Sequence, residues 1–150
     1  MPSSHPLPEL PAWEDGTVAV LSTGAGPPHA IPVSTAVRAG PSAILLALAL
    51  RRESLARLRT EPAVALTVMD AGVACTALGR ATVVREPMAV AGNVAAVLIE
   101  VDEIQDHRQP RFAIESGVSW RWTDAEAQER DAEIRAELRA LAAERTAAGR

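Results

Sequence analysis

Residues 17–84 read TVAVLSTGAGPPHAIPVSTAVRAGPSAILLALALRRESLARLRTEPAVALTVMDAGVACTALGRATVV, and this stretch decides the fold. Short apolar runs alternate in it with glycine and proline turns, which predicts several short β-strands. One basic segment, RRESLARLRTEP, interrupts the runs and predicts a single short helix. Many short strands with turn signals between them are typical of small barrels, so we expect a mainly β barrel.

Individual residues predict where these strands lie in the sheet. Pro32 falls within the run 29–37, and proline donates no ladder hydrogen bond, so this run is expected at an edge or at a bulge. The run 42–50 is apolar on both faces, which predicts a central strand, with a buried helical turn as the alternative. Residues 70–72 predict a hairpin turn. Gly79 predicts a bulge or a close approach of two backbones.

The N-terminal segment has prolines at positions 2, 6, 8 and 11. Proline fixes φ and lacks a donor, so we expect residues 1–12 to be an extended or flexible arm without a strand ladder. Because 150 residues are too few for two ordinary domains, residues 13–122 are predicted to form one barrel domain. Two short runs on either side of Gly117 are expected to be its final hairpin.

Residues 123–150 are predicted to form a long C-terminal helix. Thr123 and Glu126 have the spacing of a capping box at its start. Two acid-before-base pairs four residues apart, one of them Asp131 with Arg135, support the helix. Its apolar stripe is narrow and is expected to pack on the barrel or on a partner, with a mostly solvated helix as the alternative; the stripe consists of Ile134, Leu138 and Leu141.

Composition argues against several classes of site. The formal net charge of −4 leaves no electrostatic footprint for nucleic acid. The longest apolar run, residues 43–50, falls far short of the roughly 20 residues that span a bilayer, so no membrane is expected as a partner. Cys75 is the only cysteine, which excludes a disulfide within the chain and suits a reducing cytoplasm. The histidines show no ligand spacing, so we expect no metal.

The first candidate site surrounds the start of the short helix. The chain contains no lysine, so an anion site must use arginines, hydroxyls or backbone N–H groups. We predict the helix over residues 55–60, with Ser54 as N-cap and Pro62 ending it. A helix N-terminus favours phosphate, and arginines add charge-assisted bonds. The expected phosphate ligands are Arg51, Arg52, Ser54 and Arg57, and a solvated basic helix face is the alternative.

The second candidate site is Trp120-Arg121-Trp122. Alternation along a strand would put both indoles on one face, where they could stack on a planar ligand ring. A place in the core or in a dimer interface is the alternative. His29 follows a proline pair and is interpreted as structural or solvated. No nucleophile elbow and no Walker-type phosphate loop occur, so no catalytic residue is assigned.

Four segments together resemble the pyridoxamine 5′-phosphate oxidase-like flavin-binding split barrels. They are VAVLSTGAGPPHAIPVSTAV, SAILLALAL, LRTEPAVALTV and ALGRATVV, and they cover about half of the chain. The resemblance implies a six-stranded antiparallel split barrel with one short internal helix. It also implies a homodimer with FMN, or the deazaflavin F420, at the subunit interface. The phosphate would lie around residues 51–57, and the flavin ring would lie near Val33 and Ser34.

The sequence departs from the family pattern in three places. Ser54 stands where the family often has lysine, and arginines do not replace lysine equivalently. The connection over residues 86–92 is shorter than the helical connection common in the family. Residues 120–122 and the long helix replace the arginine- and histidine-bearing C-terminal motif of true pyridoxamine phosphate oxidases. These departures argue against vitamin B6 oxidation.

Three functions follow from these residues and from the resemblance. The first is an FMN-dependent oxidoreductase of a small-molecule substrate, with an F420-dependent reductase as its variant. The flavin itself would carry the hydride chemistry, so the lack of an acid–base pair is no objection. The second is a protein that binds flavin or haem without turnover. The third is a cofactor-free dimeric split barrel.

Overall fold

The computed structural model describes residues 5–149, which form a mainly β, antiparallel barrel with two helices. The strands are β1 (His5–Pro6), β2 (Ala19–Thr23), β3 (His29–Val33), β4 (Val37–Arg38), β5 (Ala43–Ala49), β6 (Ala63–Asp70), β7 (Val73–Arg85) and β8 (Val94–Asp106). The helices are α1 (Glu53–Thr60) and α2 (Ala125–Ala148). The predicted barrel with a short internal and a long C-terminal helix is confirmed. Eight strands, of which two are two residues long, replace the six expected.

The sheet follows the order β3-β2-β6-β7-β8-β5-β4, and β1 pairs with the end of β8. Its two edges, β3 and β4, are joined directly by residues 34–36. Thr35 links this connecting segment to β5, since its hydroxyl accepts a hydrogen bond from the N–H of Ala47 at 3.0 Å. It also donates to the carbonyl oxygen of Ala47 at 3.3 Å. β4 pairs only with Ile44 and Leu45, so beyond these residues the barrel is split between β3 and β5.

Most strand predictions are confirmed. β3, which contains Pro32, is an edge strand. β5 is almost entirely buried between β4 and β8. The β6–β7 hairpin turns at Ala71 and Gly72, where Gly72 adopts a φ of +71° that favours glycine. At Gly79 the pairing of β7 with β8 shifts register, and an added Cβ would lie 2.9 Å from the carbonyl carbon of Glu100. Gly79 therefore marks both a bulge and a close backbone approach.

Two apolar cores hold the structure together. The first fills the barrel, and Leu55 and Leu58 of α1 join it because α1 packs against strands β2, β3, β5 and β7. The second lies between the outer face of the sheet and α2, where Leu45 and Leu98 face the helix. The predicted stripe of α2 packs here, so it is the protein's own barrel that covers it; Ile134 and Leu138 are buried, and Leu141 is partly buried.

Three local predictions are wrong. α1 begins at Glu53 rather than at residue 55, and its N-cap is Arg52, whose side chain makes no capping hydrogen bond. The cap of α2 is Asp124 rather than Thr123, because its carboxylate accepts the N–H of Glu126 at 3.2 Å. Residues 107–124, all of them described, contain no strand and hence no final hairpin. Contacts with other parts of the chain hold this segment, as when the carbonyl of Ile114 accepts the N–H of Gly72.

The described part of the N-terminal segment lies along the barrel. His5 and Pro6 pair with β8, although no ladder was expected here. Leu10 is buried, and its N–H donates to the carbonyl of Pro41 at 2.8 Å. Positions 1–4 of the predicted arm lie outside the described residues, as does position 150 of the predicted helix. No helix within residues 5–149 is long and apolar enough to cross a membrane.

Glu137 is a buried carboxylate that fastens the loop after β7 to α2. Its oxygens accept the N–H groups of Ala89 at 3.0 Å and Val90 at 2.9 Å, and Arg85 lies 3.3 Å away. Burial raises the pKa of Glu137, but these N–H groups and Arg85 outweigh burial and hold the pKa below its ordinary value. Its contribution to stability is therefore present above the unfolded-state pKa and is lost as the pH falls through the folded-state pKa.

We expect Glu137→Gln to lower the free energy of unfolding by about 1–3 kcal/mol at pH 7. The difference from the wild type should shrink below about pH 4, where the carboxylate of the unfolded chain becomes protonated. Urea denaturation at several pH values measures both effects. Glu144→Gln is the control, since Glu144 is exposed and approaches Arg85 only to 4.0 Å. Equal effects of the two substitutions, or a difference that does not vary with pH, would contradict this role.

Candidate functional site

The split between β3 and β5 opens into a cleft of about 550 Å³. β3 and the crossing residues 34–35 form one wall, and residues 47–49 of β5 form the second. Trp122 and the first turns of α2 form the third wall. A concave space with apolar strands and a few polar groups at its rim is typical of a small-molecule site.

The structure brings four of the eight predicted cofactor ligands to this cleft, namely Val33, Ser34, Arg52 and Trp122. Arg51 is exposed in the turn before α1 and does not line it. Trp120 lines a neighbouring cleft. Ser54 and Arg57 point to other partners within the chain.

Arg52, the N-cap residue of α1, is the predicted anion ligand that lines the cleft beside the strands. Arg52 is exposed, lines the cleft and makes no ion pair with any described residue. The first turn of α1 has no side-chain cap, and the acidic residue in that turn, Glu53, is paired with Arg57. A guanidinium beside an uncapped helix N-terminus suits a phosphate group.

Ser54 is buried and belongs to a polar network with His29 and Glu53 rather than to the cleft. Its Oγ lies 3.1 Å from Nε2 of His29, and Nδ1 of His29 lies 3.2 Å from Oε2 of Glu53. The order of groups is that of a hydrolase triad. Ser54, however, is fully buried and lines none of the clefts described here, so a substrate has no access to it. The network is structural, and the expected structural role of His29 agrees with it.

Arg57 clamps the β2–β3 turn onto α1. Its Nη1 donates to the carbonyl oxygens of Ala25 and, at 2.7 Å, of Pro27. Its Nε pairs with Glu53 at 2.7 Å, and this hydrogen bond with the charge of Arg57 holds the pKa of Glu53 below its ordinary value. The guanidinium is therefore engaged by groups of the protein itself, and Arg57 does not line the cleft.

Trp120 and Trp122 meet edge to face, with ring centroids 5.4 Å apart and planes at 79°. They do not share a strand face as predicted, because their segment is not a strand. Trp120 donates through Nε1 to the carbonyl of Gly16 at 2.8 Å and lines a second, more polar cleft of about 570 Å³. Trp122 lines both clefts and separates them.

Sequence reasoning missed the α2 wall of the main cleft. Its polar groups are Asp124, Glu126, Arg130 and Asp131. The spacing of Asp131 and Arg135 was visible as a helix pair, but no sequence signal related it to β3 or β5. Asp131 is buried, pairs with Arg135 at 2.6 Å and accepts a hydrogen bond from Nε1 of Trp122 at 3.4 Å.

Other chemistry-bearing groups do not form a centre. Burial raises the pKa of Cys75 to about 11, so this thiol stays protonated at neutral pH and is a poor nucleophile. Within residues 5–149, no group of three or more His, Cys, Asp and Glu side chains is arranged to hold a metal ion.

Neither a protein-family model nor a curated protein matches this sequence, but solved structures match its fold. An F420 reductase is 14% identical with a TM-score of 0.53, and the match covers 61% of this chain and 91% of that one. The fold is that of the pyridoxamine 5′-phosphate oxidase-like split barrels. A candidate pyridoxamine 5′-phosphate oxidase from Lactobacillus delbrueckii matches this split barrel at 21% identity and a TM-score of 0.51, over 59% and 83% of the two chains. HupZ from Group A Streptococcus matches it at 11% identity and a TM-score of 0.55, and the match covers 69% of this chain and 90% of that one.

Proposed function

We propose that this split barrel binds a phosphate-bearing flavin in the cleft between β3 and β5 and works as an oxidoreductase of a small molecule. One observation carries the proposal: Arg52, the N-cap residue of α1, lines a cleft whose other walls are strands, an indole and the first turns of α2 with their acidic and basic groups. The matched F420 reductase supports a flavin-type ligand. FMN is our first choice, and F420 is the alternative.

Different residues of the cleft would bind different parts of the ligand. Arg52 would donate hydrogen bonds to the phosphate, and the α1 dipole would add to the attraction. Val33 and Ser34 of the β3 wall would lie along the flavin ring, while Trp122 would cover it and exclude water. A bound flavin supplies the hydride acceptor or donor, so the protein contributes binding and orientation.

A second candidate function is a split barrel without a cofactor. It is favoured by the engagement of Ser54 and Arg57 within the chain, which leaves fewer phosphate ligands than expected. The binding of flavin or haem without turnover remains a further alternative. Mass spectrometry of molecules that copurify with the native protein is the first measurement, followed by titration with FMN, riboflavin and F420.

Each outcome of these experiments has a distinct meaning. Copurified FMN, or FMN that binds more tightly than riboflavin, supports a phosphate site at Arg52. Reduction of the bound flavin by a nicotinamide donor supports an oxidoreductase over a carrier. Binding of F420 without FMN changes the cofactor and retains the cleft. If none of the three ligands binds, the flavin proposal is wrong and the cofactor-free function takes its place.

We further propose a cytoplasmic homodimer that associates through an apolar face of β2 and β6. Val20, Met69 and Val118 are exposed there, around a groove of about 340 Å³ that no charged side chain lines. Protruding apolar side chains beside an apolar groove allow two copies to complement each other about a two-fold axis. A face without charge also lets two chains of net charge −4 approach. The α2 stripe is already covered by the barrel and is not needed.

Val118→Glu is expected to convert the dimer to a monomer, because it places a charge in an apolar interface. Val84→Glu is the matched control, since Val84 is also exposed but lies on β7 and lines no part of the groove. Light scattering at micromolar concentration gives the mass of each form. A monomeric wild type, or a dimer that survives Val118→Glu, would exclude this interface.

A further inference from the structure

The wall that divides the two clefts contains a buried charge. Asp131 of α2 is only 5% exposed, and an isolated buried carboxylate is costly. Arg135 compensates it one helical turn later, at an N–O distance of 2.6 Å. Helix pairs of this kind normally lie on the solvent side, where they contribute little. A pair whose carboxylate is buried at the wall of a cleft therefore needs a further reason.

Asp131 has a second partner besides Arg135, and this partner supplies the reason. The same Oδ2 atom that pairs with Arg135 accepts a hydrogen bond from Nε1 of Trp122 at 3.4 Å. Trp122 lies in the irregular segment 107–124, where no strand ladder fixes its backbone. Its ring has an edge contact with Trp120, and its polar atom is held by Asp131. The carboxylate thus restrains the orientation of an indole that forms part of the cleft.

Arg135 lines the second cleft close to Gly16. A Cβ on Gly16 would lie 3.3 Å from Nη1 of Arg135 and 3.5 Å from the ring of Trp120, and Gly16 has a φ of +84°. Trp120 also donates to the carbonyl of Gly16. Gly16 therefore lies beside the guanidinium of Arg135, and the contacts of the pair itself run from Arg135 through Asp131 to Trp122.

We propose that Asp131 is a positioning residue for the ligand site, which holds Trp122 in the orientation that forms the aromatic wall of the β3–β5 cleft. This proposal rests on the proposed function only where ligand affinity is concerned, since the orientation of Trp122 can be measured without a ligand. A purely helix-stabilising pair would alter the thermal midpoint of unfolding but would not couple to Trp122.

The test uses the full chain labelled with 5-fluorotryptophan, whose three tryptophans give three ¹⁹F resonances. Trp122→Phe assigns the resonance of Trp122. We expect Asp131→Ala to shift and broaden that resonance and to leave the resonance of Trp13 unchanged. Glu133→Ala is the control on the same helix, because Glu133 is exposed and makes no hydrogen bond or ion pair with a described side chain. Asp131→Asn, which keeps the side-chain volume, replaces Asp131→Ala if that variant does not fold, and it should still shift the resonance because an amide is a weaker acceptor.

A titration with FMN adds the functional arm. Asp131→Ala and Trp122→Phe should each weaken binding about tenfold, and the double variant should be no weaker than Trp122→Phe alone, because both changes remove one coupled unit. Additive losses, or an unchanged Trp122 resonance in the Asp131 variants, would overturn the proposal. If the wild type binds no FMN, the flavin proposal fails, and the ¹⁹F spectra still decide the role of Asp131.

Discussion

Gly79→Ala is expected to lower the free energy of unfolding by about 3 kcal/mol, although it adds a single methyl group. The added Cβ would lie 2.9 Å from the carbonyl carbon of Glu100 and 3.0 Å from the Cα of Val101. Both obstacles are backbone atoms of β8, so no side chain can rotate away. The bulge that aligns β7 with β8 would have to move, and with it the longest strand pair of the barrel.

Gly92→Ala is the control for this prediction. Nothing lies within 4 Å of the position of its Cβ, and its φ is not in the left-handed region. We expect a change within about 0.5 kcal/mol. Urea denaturation with an unchanged m-value measures both variants. Equal losses in the two would show that flexibility rather than steric overlap controls the effect.

Arg52→Ala is expected to weaken FMN binding about ten- to a hundredfold, since a charged hydrogen bond to the phosphate is lost. Riboflavin, which lacks the phosphate, should bind the variant and the wild type alike. Arg51→Ala is the matched control, because Arg51 is the neighbouring arginine and does not line the cleft. Isothermal titration of the three proteins with the two ligands gives all six affinities.

Arg57→Ala separates binding from folding. It removes the clamp on the β2–β3 turn and the pair with Glu53, so it should cost about 1–3 kcal/mol of unfolding free energy while the folded fraction keeps its FMN affinity. An affinity loss in Arg57→Ala that matches the loss in Arg52→Ala would move the phosphate site to the α1 face. Retained FMN affinity in Arg52→Ala would remove the phosphate site altogether.

Local sequence patterns predicted the elements whose cause is local. Pro32 marked an edge strand because a missing donor has the same effect in any sheet. The turn at residues 70–72 and the close backbone approach at Gly79 likewise follow from backbone geometry. The apolar stripe of α2 was visible from its spacing. The stripe packs against the barrel of the same chain, which the spacing of its residues could not show.

The candidate site was predicted only in part. Val33, Ser34, Arg52 and Trp122 meet at one cleft, as expected for a ligand site. Ser54 suggested a helix cap and Arg57 a phosphate ligand because these residue types serve such roles when their partners are solvent. Ser54 instead contacts His29 at the start of β3, and Arg57 contacts the β2–β3 turn, so both partners are remote along the chain.

By itself the sequence determined the class of fold, because that depends on period and turn chemistry. It also predicted a single barrel domain and the segment where an anion site is to be sought, from length and residue type. The tertiary structure alone decided which arginine faces the cleft and which one clamps a turn. It also decided that residues 107–124 are irregular, and that Asp131 and Trp122 meet at the wall of the cleft. Those outcomes depend on contacts between distant residues, and only the curled sheet with α2 packed across it brings such residues together.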